Sequence, residues 1–371
     1  MRYIWQHIKA ITDTYSGSLP LSHFLKNYFK KYPALGSRDR KLLSTMAYSW
    51  YRCSKSISAS DFETIVKQCM LICNNALPKT LISENEPCNA IDQLQFDTNA
   101  LFPYDIPLSD GITSREWQSS MLVQPHLFIR ILKSKDKIIS LLNSENIPFK
   151  FITDNCLSLP NGVKVDALLQ EDTYVVQDAS SQETGNFFRP QKNEAWYDCC
   201  SGAGGKSLLL KALEPAVHIT VSDVRESILQ NLKQRFKSYG YHLPLAYVTD
   251  AASKEQLSKS LGNKQFDHII CDAPCSGSGT WARTPEQLYF FDPGSISVFS
   301  SLQKKIATNV AAHLKPHGRL IYITCSVFRA ENEDVVSEII KETNLQLLQS
   351  QIINGIDIHA DSMYIAVLGK P

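Results

Sequence analysis

Trp196-Tyr197-Asp198-Cys199-Cys200-Ser201-Gly202-Ala203-Gly204-Gly205-Lys206 carries an apolar run into a glycine-rich turn and on into a helical pattern. Gly202, Gly204 and Gly205 let the backbone turn sharply and approach a ligand, while the following helix offers unpaired amides and a positive end. Glycine triplets alone are weak evidence. Here a second acid, Asp223, ends the next apolar run about 20 residues on, where a ribose-hydroxyl ligand belongs in a nucleotide-binding unit. Four residues do not separate two glycines ahead of Lys206, so this is not a Walker loop. Asp223 also reads as an acid at a helix N-terminus. Asp250, ending a third run, reads either as a contact to the nucleotide base or as a cap for the helix opening near Ser253.

Outward from this loop, strand and helix patterns alternate, which argues for a parallel sheet with crossover helices. Strands are expected at 195–200, 218–223, 245–250, 267–272 and 319–325, with helices near 204–213, 225–238, 253–261, 296–314 and 331–342. Leu345 to Ser350 and Met363 to Leu368 supply two closing strands. Upstream, Pro125 to Ile131 and Phe149 to Ile152 read as strands around a helix from Ser134 to Asn146, a small α+β subdomain. Residues 1 to about 90 hold helical-period segments at Ile4–Thr14, Leu21–Lys31, Ser37–Tyr51 and Asp61–Cys73. Pro78, Pro87 and the 99–110 stretch interrupt that pattern, and Cys88 beside Pro87 reads as loop. The resulting division is a helical module over 1–95, a linker over 96–123, the small subdomain over 124–190 and the large α/β domain over 191–371.

Two cysteines end strand-like runs: Cys275 in Asp272-Ala273-Pro274-Cys275-Ser276-Gly277 and Cys325 in Tyr322-Ile323-Thr324-Cys325-Ser326. Ligands in open α/β sheets bind at the carboxyl ends of the strands, so both thiols are expected to face one site. They also read as two buried structural cysteines. Pro274 and the Ser276-Gly277-Ser278-Gly279 segment put Cys275 in a loop, where catalytic groups concentrate. A thiolate adding to C6 of a cytosine would place negative charge on the otherwise unreactive C5, which could then take an electrophilic methyl group. That chemistry needs a nucleophilic thiol, a donor near N3 or O2 to stabilise the adduct and a base for the C5 proton. Cys325, Asp272 and the Cys275 loop supply candidates for each.

Composition bounds the alternatives. With 371 residues, two or three domains are expected, and 43% hydrophobic against 20% charged residues argues against extensive disorder. No export signal or apolar stretch of about 18 residues is present, so a cytoplasmic chain with reduced thiols is the expectation. Cys69 and Cys73 lie four apart without paired histidines nearby, so no zinc site is expected. Net charge is only +1, yet up to Lys55 the chain carries Arg2, Lys9, Lys26, Lys30, Lys31, Arg38, Arg40, Lys41, Arg52 and Lys55 against Asp13 and Asp39. Such a bias suits nucleic-acid phosphates, or equally a solvated helix face.

These residues together resemble the Sun (NSUN) type RNA 5-methylcytosine methyltransferases, which use S-adenosylmethionine. The likeness runs from about Pro125 to Lys370. It rests on Val176-Gln177-Asp178-Ala179-Ser180-Ser181-Gln182, the glycine loop, Asp272 to Thr280, Arg283-Thr284-Pro285-Glu286, and Thr324-Cys325-Ser326 followed by Glu331-Asn332-Glu333. The resemblance implies a Rossmann-like class I methyltransferase domain with a mostly parallel seven-stranded sheet, preceded by a small RNA-recognition-like subdomain. It implies Cys325 as nucleophile, since Thr-Cys-Ser is the signature of the RNA enzymes, with attack by the Pro-Cys thiol as in DNA cytosine methyltransferases as the alternative; Cys275 would assist product release, with Asp272 and Lys206 in the active site. Cys200, Ser201, Gly202, Ala203, Gly204, Gly205, Lys206, Asp223, Arg225, Asp250 and Asp272 would line the cofactor and base pocket. The basic N-terminus looks like the NusB-like extension of the bacterial 16S ribosomal RNA enzymes, through Ser37-Arg38-Asp39-Arg40. Ribosomal RNA is therefore the first expected substrate, with transfer RNA or a non-catalytic ribosome-assembly role as alternatives; a monomer without metal is expected. Three departures stand out: Gly202-Ala203 where the family usually has Ala-Pro, Arg130-Ile131-Leu132 for Arg-Val-Asn, and Asp361-Ser362-Met363-Tyr364 for Asp-Gly-Phe-Phe.

Overall fold

The computed structural model describes residues 2–58, 61–76 and 96–371. Pro78, Pro87 and Cys88, read above as connecting structure, lie outside them. The chain forms two compact units, one of residues 1–106, 113–124 and 280–293 and one of 107–112, 125–279 and 294–371.

The first unit is helical, with helices Arg2–Thr14, Leu21–Lys31, Ser37–Cys53 and Phe62–Ile72. Ile4, Ile8 and Ile11 recur at helical spacing and are buried with Leu21, Leu25, Leu43, Met46, Ala47 and Tyr51, so one stripe of each helix forms the core. Some of the early positive charges are structural. Arg52 is buried and donates to the Met121 carbonyl at 2.5 Å and Gln124 Oε1 at 2.6 Å. Lys55 bonds the Tyr289 carbonyl. Lys9, Lys26, Lys30, Lys31, Arg38 and Lys41 are exposed.

The second unit contains two sheets. Strands β1 (Leu127–Ile131), β2 (Lys150–Thr153), β3 (Cys156–Leu159) and β4 (Tyr174–Val176) form an antiparallel sheet in the order β2-β3-β1-β4. β3 and β4 escaped the sequence reading, because Cys156-Leu157-Ser158-Leu159 is buried at every position and three residues are too few to show a period. The large sheet comprises β5 (Ala195–Asp198), β6 (His218–Asp223), β7 (Leu245–Val248), β8 (Phe266–Asp272), β9 (Leu314–Thr324), β10 (Gln346–Ile353) and β11 (Met363–Gly369), in the order β10-β11-β9-β8-β5-β6-β7. β5 to β9 pair in parallel, while β11 pairs antiparallel with β9 and β10. This is the expected Rossmann-like sheet.

Successive residues of the central strands face opposite layers. Tyr197, Cys271, Leu320 and Tyr322 pack with Leu257, Ile306 and Val336 from helices Lys254–Leu261, Gly294–Ala311 and Glu333–Glu342. Trp196, Ile270, Ile321 and Ile323 pack with Leu208, Leu232 and Phe236 from helices Gly205–Leu213 and Glu226–Ser238. Two apolar faces explain why these strands read as continuous hydrophobic runs. The β9 boundary differs from expectation: the preceding helix stops at Ala311, and the strand starts at Leu314 opposite Phe266, with a register shift before His268.

β5 borders β6 on one side and β8 on the other, so strand order reverses there and opens a crevice at the carboxyl ends. The loops beyond β8 and β9 are tied across it. Gly279 N donates to the Cys325 carbonyl and Ser362 N to the Gly279 carbonyl, both at 2.9 Å. A Cβ on Gly279 would lie 2.0 Å from the Ser362 carbonyl oxygen, so only glycine allows this approach. Gly279→Ala should therefore lower unfolding free energy by roughly 1–3 kcal/mol. Urea denaturation checks this, with an unchanged midpoint contradicting it.

Candidate active site

The glycine loop is built as the sequence suggested. Gly204, at φ +83°, precedes helix Gly205–Leu213, and a Cβ there would meet Leu232 Cγ at 2.8 Å. Gly202-Ala203, which lacks the rigidity of Ala-Pro, is tethered from outside. Gly202 N donates to Asp223 Oδ2 at 3.0 Å, Arg235 Nη1 to the Ala203 carbonyl at 2.7 Å, and Ser201 N to the Ser222 carbonyl at 2.9 Å. Asp223 is thus more than a helix-terminal acid, since Oδ1 also accepts from Arg225 N and Nε at 3.0 and 3.1 Å. Asp250 is not the helix cap. Ser253 fills that role, accepting from Gln256 N, while Asp250 Oδ1 accepts from Ala252 N at 2.9 Å.

A cavity of about 370 Å³ opens beside the loop, lined by Cys200, Asp223, Arg225, Asp250 and Asp272 with Leu302 and Ile306 among its apolar walls. Ser201, Gly202, Ala203, Gly204, Gly205 and Lys206 do not line it. A larger cavity of about 570 Å³, bounded by Lys254, Asn309 and Lys370, contains none of the expected residues. Lys206 is buried, its Nζ donating to Asp272 Oδ2 at 3.1 Å and Ser181 Oγ at 3.0 Å. Asp272 therefore faces the cavity while being held by a cation.

Both thiols reach one place. Cys275 and Cys325 are unbridged and half-buried, with their sulfurs 3.4 Å apart. Sharing a hydrogen bond with Cys325, then burial, pushes the Cys275 thiol well above its ordinary range.

Beneath them lies a residue that the sequence reading used only as a family marker. Glu331 is fully buried; Oε1 accepts from Ser276 N at 2.8 Å and Gln303 Nε2 at 3.2 Å, and Oε2 from Ser276 Oγ and Ser326 Oγ at 2.5 Å each. Buried Asn332 accepts from Thr324 Oγ1 at 2.6 Å and donates to the Ser326 carbonyl at 2.9 Å. The available signal was the fixed six-residue offset from Cys325, but nothing in the chain alone says that a side chain there turns back under the thiols. Ser181, which anchors Lys206, lies 25 residues upstream and entered the sequence reading only within the family-like Val176 to Gln182 stretch.

Residues 186–367 match the family described as 16S rRNA methyltransferase RsmB/F. Ribosomal RNA small subunit methyltransferase B of Klebsiella pneumoniae is 29% identical over 227 residues, covering 59% of this chain and 52% of the relative. The Shewanella oneidensis protein of the same name is 30% identical over 217 residues, covering 58% and 50%. The chain spans about half the length of the curated relatives it matches. Two solved structures share the fold. PH0851 has a TM-score of 0.72 at 18% identity, covering 95% of both chains; NSun6 from Pyrococcus horikoshii, solved with SFG, has 0.60 at 15%, covering 69% of this chain and 94% of that one.

Asp198, at the end of β5, is buried, accepts from Ser207 Oγ at 2.6 Å and leaves Oδ1 without a partner among the described residues. Burial, then the charge of Asp272, raises it from 3.8 to about 7. The fold therefore favours its protonated form, a contribution complete below about pH 4 and lost as pH rises through about 7. Asp198→Asn removes that titration. The melting temperature of the native protein should fall relative to the variant between pH 4 and pH 8, and parallel pH profiles would refute the assignment.

Proposed function

We propose that this protein transfers a methyl group from S-adenosylmethionine to C5 of a cytosine in structured RNA, with small-subunit ribosomal RNA as the substrate. The observation that carries this reading is the pair of thiols 3.4 Å apart, at the carboxyl ends of β8 and β9 that also present the Lys206-bound Asp272. The family match of residues 186–367 supports it, as do the names of the small-subunit methyltransferases that the chain resembles.

The residues present fit the cofactor. Asp223 and Asp250 offer acceptors for hydroxyl and amino groups, and Leu302 and Ile306 offer apolar walls for a base. When bound, S-adenosylmethionine supplies an electrophilic methyl group on a sulfonium. In the proposed reaction the Cys325 thiolate bonds to C6, and the C5–C6 π pair moves to C5. Asp272, steadied by Lys206, meets the polar edge of the ring. C5 would then be placed to take the methyl group that S-adenosylmethionine, held beside Asp223, Asp250, Leu302 and Ile306, would supply. Once Cys325 is a neutral thioether, the strongest influence keeping Cys275 protonated is gone. Cys275, having released its proton to solvent, takes the C5 proton; the C–H pair re-forms the C5–C6 bond and expels the Cys325 sulfur. Asp272 and Lys206 thus hold the base, and the two cysteines divide attack from release. The target base leaves its stack to reach the crevice. We assign the β1–β4 sheet and the exposed basic helices to RNA binding, and the protein to the cytoplasm as a monomer.

Cys325→Ala should abolish methylation of unmodified ribosomal RNA while RNA binding persists, read with labelled S-adenosylmethionine and bisulfite sequencing. Cys275→Ala should accumulate a covalent RNA adduct that survives denaturing electrophoresis. Full activity of the Cys325 variant would overturn its role, and the absence of an adduct would overturn that of Cys275. Signal in transfer RNA alone would move the substrate. Cofactor binding without turnover on any RNA would leave a non-catalytic assembly factor.

A further inference from the structure

Glu331 has no part in the reaction as written, yet its carboxylate touches both thiol loops. Ser276 follows Cys275, and Ser326 follows Cys325. Each donates its hydroxyl to the same Oε2, at 2.5 Å, while the backbone N of Ser276 donates to Oε1 at 2.8 Å. On the other side of Cys275 the Pro274 carbonyl accepts from Gln303 Nε2 at 2.9 Å, and that nitrogen also donates to Glu331 Oε1 at 3.2 Å. Because Pro274 O can only accept, the Gln303 amide has its nitrogen here, and Glu331 must accept. Cys275 is thereby bracketed on both sides by groups anchored to one carboxylate. The Glu331 carbonyl is held in turn by the Tyr322 hydroxyl at 2.6 Å.

These four contacts are neutral donors, and the side chain is fully buried. A buried carboxylate without a cation is costly and is sustained only by such a dense set of bonds. Replacing it with an amide of the same shape would set a donor against donors. So expensive an arrangement does more than close a loop, since a backbone hydrogen bond between Gly279 and the Cys325 carbonyl already joins the two segments.

We propose that Glu331 is a positioning residue that holds Cys275 and Cys325 in register and, through its negative charge, keeps Cys275 the protonated partner so that Cys325 is the thiol that attacks. This rests on the proposed reading of the thiol pair. Among the described residues, the titratable groups acting on Cys275 are the Cys325 thiol, the Glu331 carboxylate and the Tyr322 hydroxyl. Of these, only Glu331 is a carboxylic acid. Its charge adds to the upward push on Cys275, after the Cys325 bond and burial. Two functions, reach and charge, are thus separable by substitution: Glu331→Gln keeps the reach and removes the charge, whereas Glu331→Asp keeps the charge and shortens the reach.

The test is iodoacetamide alkylation of the full-length protein without RNA, over pH 6 to 10, with Cys275 and Cys325 resolved by peptide mass spectrometry. In the native protein Cys325 should be modified faster at pH 8, by about tenfold or more. Glu331→Gln should shift the Cys275 profile to lower pH and collapse that preference toward equality. Glu331→Asp should retain the Cys275 profile while slowing covalent RNA adduct formation at Cys325 by about tenfold or more. An unchanged preference in a folded Glu331→Gln protein overturns the proposal, as does Cys275 shifting equally in both variants. If Glu331→Gln does not fold, the Ser276→Ala, Ser326→Ala double variant takes its place: it keeps the charge and removes the hydroxyl ties, so slower adduct formation at Cys325 with an unshifted Cys275 profile supports the proposal, and unaltered adduct formation overturns it. The alkylation readout needs neither cofactor nor RNA. Absent methylation beside the expected alkylation pattern would therefore sink the functional reading alone.

Discussion

The site depends on the parallel pairing of β8 with β9, in which Asp272 stands opposite Ile323. This register brings two loops that are 50 residues apart in the chain to the same crevice. Cys275 lies three residues beyond one strand position and Cys325 two beyond the other, and both sulfurs converge within 3.4 Å. A shift of one residue would turn each side chain of β9 to the opposite layer, exchanging Tyr322 with Ile323 and breaking both cores. The same packing that stabilises the sheet therefore holds the chemistry in place.

Three carboxylates near the crevice are treated differently by their surroundings. Asp272 is matched by a buried lysine and keeps one side toward the cavity. Asp198 has a single hydroxyl donor, and burial wins, raising it to about 7. Glu331 is as deeply buried, but four neutral donors surround it. The three thus differ in the number and kind of their donors, not only in depth. The glycine loop obeys the same rule in its backbone, since tethers from Asp223 and Arg235 supply the restraint that Ala-Pro provides in the family pattern.

Much of the large sheet was legible because its strands are buried on both faces and its helices are long enough to show their period. Trp196 to Lys206 announced the strand, turn and helix in one stretch, and β6, β8 and β11 fall within a residue or two of expectation. The short strands β3 and β4 were not legible, being too brief or too uniformly buried to carry a pattern. Of the candidate site, the two cysteines, Asp272 and Asp223 were singled out in advance at strand ends or loops whose position the periodicity marks, and Lys206 through the family resemblance. Asp250 was placed at its strand end, but its helix-cap alternative lost to Ser253.

The chain by itself determined the order of strands and helices, the glycine turn and the two thiol loops, because these follow from local periodicity, backbone sterics and family likeness. Only the tertiary structure decided that Glu331 turns beneath both thiols, that Ser181 anchors Lys206, that Arg52 is held by the Met121 carbonyl and Gln124 Oε1, and that Gly279 must lack a side chain. Each of these is a contact between segments distant in sequence, set by strand register and close packing, to which spacing along the chain is blind.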